Sequence, residues 1–125
     1  MKTLLTVSSM MEVGAGAALL CCPSATVVLL VGVPLDEPAS LIVARIGGGG
    51  LLALGVACWL ARADAQSPAA RGLIAAMLVY NVIAAAILIF ASVSTALHGP
   101  ALWPVVLLHA VMAAWCVACL QRSAL

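Results

Sequence analysis

Four stretches of this chain stay apolar over the length of a membrane-crossing helix, and together they take up most of its 125 residues. An α-helix rises about 1.5 Å per residue, so about twenty apolar residues cross a hydrocarbon core of about 30 Å. The stretches cover residues 3–22, 38–62, 68–94 and 101–121. In lipid every backbone N–H and C=O must find its partner within the protein, which makes helices the solution for segments of this length. Composition agrees: 66% of residues are hydrophobic and 7% charged, against about 25% charged in an ordinary soluble domain. Five basic and four acidic side chains cannot clothe a water-soluble surface of this size. The expected fold class is therefore all-α. One integral membrane domain, residues 1–125, forms an up-down bundle of four helices with short connections.

Prolines mark the segment boundaries. Lys2 followed by an apolar run resembles a signal peptide, but Leu19-Leu20-Cys21-Cys22 occupies the place of a small-x-small cleavage site. The segment is read as a retained first span. Pro23 then starts a short apolar helix over residues 23–31, too short to cross. It is read as re-entrant or interfacial, ended by Gly32, with a kinked continuation of the first helix as the alternative. Asp36 or Glu37 caps the second span, with Pro38 in its first turn, and Ser67-Pro68 repeats that start for the third. Residues 95–100 form the last loop.

Lys2, Arg62, Arg71 and Arg122 all fall on one side of the membrane, with Asp64. The other side carries Asp36, Glu37 and His98 and no lysine or arginine. The positive-inside rule then puts both termini in the cytoplasm and the chain in a cell inner (plasma) membrane. Trp103 suits the outer interface, and Trp59 and Trp115 the inner one. A net charge of +1 with scattered basic residues carries no nucleic-acid signature.

Each span also holds one strongly polar side chain: Glu12, Arg45, Asn81 and His109. Counted from the expected outer helix ends, all four lie at depths of roughly 10–20 Å. Small residues flank them at spacings of three and four: Ser8, Ser9, Ala15 and Gly16 by Glu12, and Gly48 and Gly49 by Arg45. Ala84 and Ala85 follow Asn81, and Ala113 follows His109. Such faces let helix backbones approach closely. Two unpaired charges would cost about 5–7 kcal/mol on insertion scales, so Glu12 and Arg45 are expected to pair. Intramembrane ionisable residues mark functional sites by default, which makes these four the candidate ligand-binding residues. The competing reading is a purely architectural polar layer that specifies how the helices dock.

Other residue patterns carry less. Cys116-Val117-Ala118-Cys119 is a C-x-x-C with Cys58 at a comparable depth, but free cysteine is also a common small apolar residue in helices. Cys21 and Cys22 lie at the opposite side. His109 is the lone histidine within a span, so bis-histidine haem ligation is not expected. No metal site is assigned. Gly47 to Gly50 lacks the lysine and hydroxyl residue of a phosphate loop and is read as a close helix contact.

In this order the elements resemble those of DoxX-like small four-helix membrane proteins. The resemblance covers mainly residues 4–60: an acidic residue in the first helix, a proline-started short segment, then Arg45-Ile46-Gly47-Gly48 followed by Leu51-Leu52-Ala53-Leu54-Gly55. It implies a link to quinone-coupled oxidation of sulfur compounds or to redox accessory roles, and carries over no catalytic residue. Met11-Glu12-Val13-Gly14 is also similar to the first helix of small multidrug transporters, from which Arg45, the long first outer connection and the charge bias depart.

The expected function is that of a non-enzymatic membrane-embedded binding module or accessory subunit. Its polar intramembrane pocket would hold a small ligand or a quinone head group, quinone being the candidate cofactor. The alternatives are a quinone-linked redox subunit, a small proton-coupled exporter, and a structural polar layer. The bilayer is the expected partner, with a homo-oligomer or a larger membrane complex possible. The charge bias predicts that a fluorescent protein fused to the C-terminus lights up while alkaline phosphatase fused there stays inactive. An active phosphatase fusion would reverse the topology.

Overall fold

Three helices begin at a proline, where the missing N–H costs nothing because the first turn has no intrahelical acceptor for it. A computed structural model describes residues 1–95 and 97–122 of the chain; residue 96, within the expected last loop, and the final three lie outside the described residues. α1 runs Lys2–Cys21, α2 Pro23–Val31, α3 Pro38–Ala61, α4 Pro68–Thr95 and α5 Leu102–Arg122. A 3-10 turn over Arg62–Asp64 separates α3 from α4. Four of these helices are long and apolar enough to cross a membrane. The short helix after the first span is present, and the described residues form no strand.

Helix ends follow local chemistry. Gly32 closes α2 at φ 82°, a left-handed conformation that glycine adopts without strain, and its N–H donates to the Val28 carbonyl. The Ser67 hydroxyl accepts from the Ala70 N–H at 3.2 Å, capping α4. Glu37 precedes α3 but makes no side-chain cap. The chain between α4 and α5 docks on the end of α2: Gly99 N–H donates to the Leu30 carbonyl at 3.1 Å and Ala101 N–H to the Leu29 carbonyl at 2.8 Å. Ser92 and His98 join beside it at 3.1 Å. The start of α1, the end of α5 and the α3–α4 turn share the opposite end, called here the terminal end, where Met1, Gln66 and Arg122 line one cavity.

The bundle consists of two closely packed helix pairs, α1 with α3 and α4 with α5. Glycine sets the first. A Cβ on Gly16 would lie 2.7 Å from the Gly48 carbonyl oxygen and 2.7 Å from the Leu52 nitrogen. One on Gly55 would lie 2.8 Å from Val13 Cγ2 and 2.9 Å from the Val13 nitrogen. Backbones touch here, which in a bilayer replaces the missing hydrophobic drive with dispersion contact. Gly47, Gly49 and Gly50 face open space, so the glycine run contributes one contact residue, Gly48.

Larger side chains fill the seam between the pairs toward the terminal end. Leu4, Leu5, Cys58, Ile74, Met77, Met112 and Cys116 form this core. Outward, Val43, Ile46, Ile87, Phe90, Val93 and Leu107 are exposed, the surface a lipid-solvated bundle presents. Gly48→Leu is expected to lower stability by about 1–3 kcal/mol through overpacking. Gly47→Ala should raise it by about 0.5–1 kcal/mol through helix propensity alone. Reversible unfolding in detergent reads both; equal effects at the two positions would refute the contact.

Candidate functional site

The α1–α3 register decides where the polar side chains go. Extending the antiparallel pair from Gly16–Gly48 brings Leu20 beside Arg45 and Lys2 beside Arg62. Arg45 Nε indeed donates to the Leu20 carbonyl at 3.3 Å. That carbonyl belongs to the last turn of α1, which lacks intrahelical donors and carries the negative end of the helix dipole. Arg45 is exposed and serves as a cap on α1. The expected Glu12–Arg45 pair does not form. Glu12 lies eight residues before Leu20, about 12 Å along the axis. Arg45 and Cys58 also fall on opposite flanks of the Gly48–Gly55 face, Arg45 outward and Cys58 buried.

Glu12 turns instead into the seam. Ser9, Val13 and Gly16 face α3, while Leu5, Ser8 and Glu12 form the adjacent stripe toward the second pair. Glu12 is 5% exposed and Ser8 1%. Among the described residues Glu12 has neither a hydrogen-bond nor an ion-pair partner, and the buried Ser8 hydroxyl accepts and donates nothing. These two groups stand one helical turn apart.

The second pair supplies the other wall. Asn81 is 2% exposed. Its amide nitrogen donates to the Met77 carbonyl at 2.7 Å, one turn back on α4. A carbonyl can only accept, so the amide orientation is determined, and Asn81 Oδ1 faces His109 Nδ1 at 2.8 Å. His109 therefore carries its proton on Nδ1 and leaves Nε2 as a free lone pair when neutral. The Tyr80 ring meets the His109 ring edge-on, with centroids 5.6 Å apart.

The structure joins Asn81 to His109, buries Glu12 on the α1 stripe beside Ser8, and leaves Arg45 exposed at the end of α1. Sequence reading missed Tyr80 and the orphaned Ser8 hydroxyl. Tyr80 adjoins Asn81 in the chain, and Ser8 precedes Glu12 by one turn; both spacings were visible. No family model, curated protein or solved structure matches this chain.

Cys58, Cys116 and Cys119 are buried below this layer, Cys21 and Cys22 are exposed at the far end of α1, and none of the five forms a disulfide among the described residues. No group of three or more potential metal ligands exists among the described residues. Two cavities of about 340 Å³ each open at the terminal end, away from the polar seam.

Asn81→Ala removes the acceptor of the His109 Nδ1 proton. It is expected to cost about 0.6–1.7 kcal/mol in detergent unfolding, the span measured for interhelical hydrogen bonds within a folded membrane protein. Nitrogen NMR of His109 should report the Nδ1–H tautomer in the parent and a mixed population in the variant. An Nε2–H tautomer in the parent would contradict the assigned bond.

Proposed function

We propose that this protein is a membrane-embedded binding module or accessory subunit whose interior polar seam takes a small ligand or a quinone head group. The observation that carries this reading is the buried Glu12 side chain without a hydrogen-bond or ion-pair partner among the described residues, one turn from the fully buried and unpartnered Ser8 hydroxyl. A helix interface built only for packing satisfies its polar groups, because each unsatisfied one costs about 1–3 kcal/mol. Unfilled hydrogen-bonding capacity in a water-poor site is the property of a site that binds something.

The wall opposite is complementary. His109 offers an Nε2 acceptor when neutral, and Tyr80 a hydroxyl that both donates and accepts. A quinone carbonyl or a small hydroxylated ligand fits between a donor and a proton-accepting carboxylate. The seam separates two helix pairs that pack more closely within themselves than against each other, so entry needs rigid pairs to part rather than helices to unfold. Arg45, in this reading, caps α1 and takes no part in binding.

The DoxX-like assignment belongs to the same proposal, supported by the order of elements through α3. So does the placement of the terminal end in the cytoplasm of an inner membrane, supported by the positive-inside bias. A second reading, proton-coupled export of a small cation, gains from one observation: Glu12 has no arginine partner to neutralise it.

Mass spectrometry of small molecules released from the purified protein tests the proposal. The parent and Arg45→Gln should release a ligand or quinone in near-stoichiometric amount, and Glu12→Gln and His109→Phe should release at least tenfold less. Equal yields from all four, or none from the parent, would contradict it. Proton release on adding a lipophilic cation, lost in Glu12→Gln, would favour export instead.

A further inference from the structure

The same antiparallel register that separates Glu12 from Arg45 forces two cations together at the terminal end. Lys2, in the first turn of α1, and Arg62, just past α3, line one cleft of about 340 Å³ with Trp59, Leu60 and Ala63. Among the described residues no carboxylate lines it. Asp64, two residues on, is exposed and pairs with neither cation among the described residues. The Arg62 guanidinium lies over the Trp59 ring, its central carbon 3.3 Å from the ring centroid, which holds the charge in one place. Its Nε is buried and has no hydrogen-bond partner among the described residues. Trp59 and Leu60 are exposed at 43% and 68%, so the cleft has an apolar side beside its basic one.

The geometry points to a binding site for the phosphate of an anionic membrane phospholipid, held between Lys2 and Arg62 with its glycerol and acyl chains along Trp59 and Leu60. Two like charges in one cleft repel, and an anion between them reverses the sign of that interaction. The fork of Arg62 suits a phosphate through its terminal nitrogens. Lys2 adds a mobile point charge from the adjacent helix. The apolar side separates a lipid from a free phosphate, which would use the cations and leave Trp59 and Leu60 bare. Basic pockets between membrane helices bind anionic head groups on this principle.

Binding is read by native mass spectrometry of the full-length protein in a neutral detergent. It is titrated with phosphatidylglycerol, with phosphatidylcholine, or with inorganic phosphate. Phosphatidylglycerol should bind saturably, at least tenfold tighter than phosphatidylcholine, and millimolar phosphate should not displace it. Removing one cation should weaken phosphatidylglycerol binding about fivefold, and removing both about thirtyfold. Lys2→Gln, at an exposed first-turn position, tests this without disturbing the fold, and Lys2→Gln with Arg62→Gln tests the pair. Arg122→Gln, in the neighbouring cavity, should leave it unchanged. Equal binding of both lipids, displacement by phosphate, or parent-like affinity in Lys2→Gln would overturn the assignment.

Discussion

The glycine contact between α1 and α3 governs where most of the polar side chains of this molecule end up. Gly16 on Gly48 and Val13 on Gly55 leave no room for a Cβ, so the two helices have one register. Sliding either by a residue would put a side chain where a backbone now sits. From that register come three consequences at three depths. Arg45 reaches the end of α1, Glu12 is carried away from it into the seam, and Lys2 and Arg62 line one cleft at the terminal end. Polar side chains here follow the packing of small residues and do not direct it.

The second pair obeys a different constraint. α4 and α5 are joined across their faces by the Asn81–His109 hydrogen bond, anchored by the Met77 carbonyl. This bond satisfies Asn81 and the Nδ1 side of His109 within the second pair, leaving His109 Nε2 open. The inequality between the two walls is the chemical content of the seam. One wall is saturated except at His109 Nε2 and the Tyr80 hydroxyl, and the other carries a carboxyl and a hydroxyl with no partners.

The helices were legible in the sequence because their punctuation is local. Pro23, Pro38 and Pro68 begin helices, Gly32 ends one, and Ser67 caps another, each by a mechanism confined to a few residues. Depth was less legible. Counting inward from helix ends assumes that all helices end in one plane, whereas α1 stops level with Arg45, two turns inside the start of α3, and α2 occupies the space above. That offset turned an apparent Glu12–Arg45 pair into two unrelated residues. Ser8 read as a small packing residue like Ser9, and only burial against the opposite pair distinguishes them. Tyr80 carried no signal of its own in the sequence beyond its place next to Asn81.

The chemistry of the seam turns on the separation of Glu12 from Arg45, and a double-mutant cycle measures that separation directly. Stabilities of the parent, Glu12→Gln, Arg45→Gln and the double variant would be taken from reversible unfolding in the same detergent. Separated side chains add to within about 0.3–0.5 kcal/mol, and additivity is the predicted result. A coupling above about 1 kcal/mol would mean that the two charges meet in the membrane, and that the register drawn from Gly16 and Gly48 is wrong.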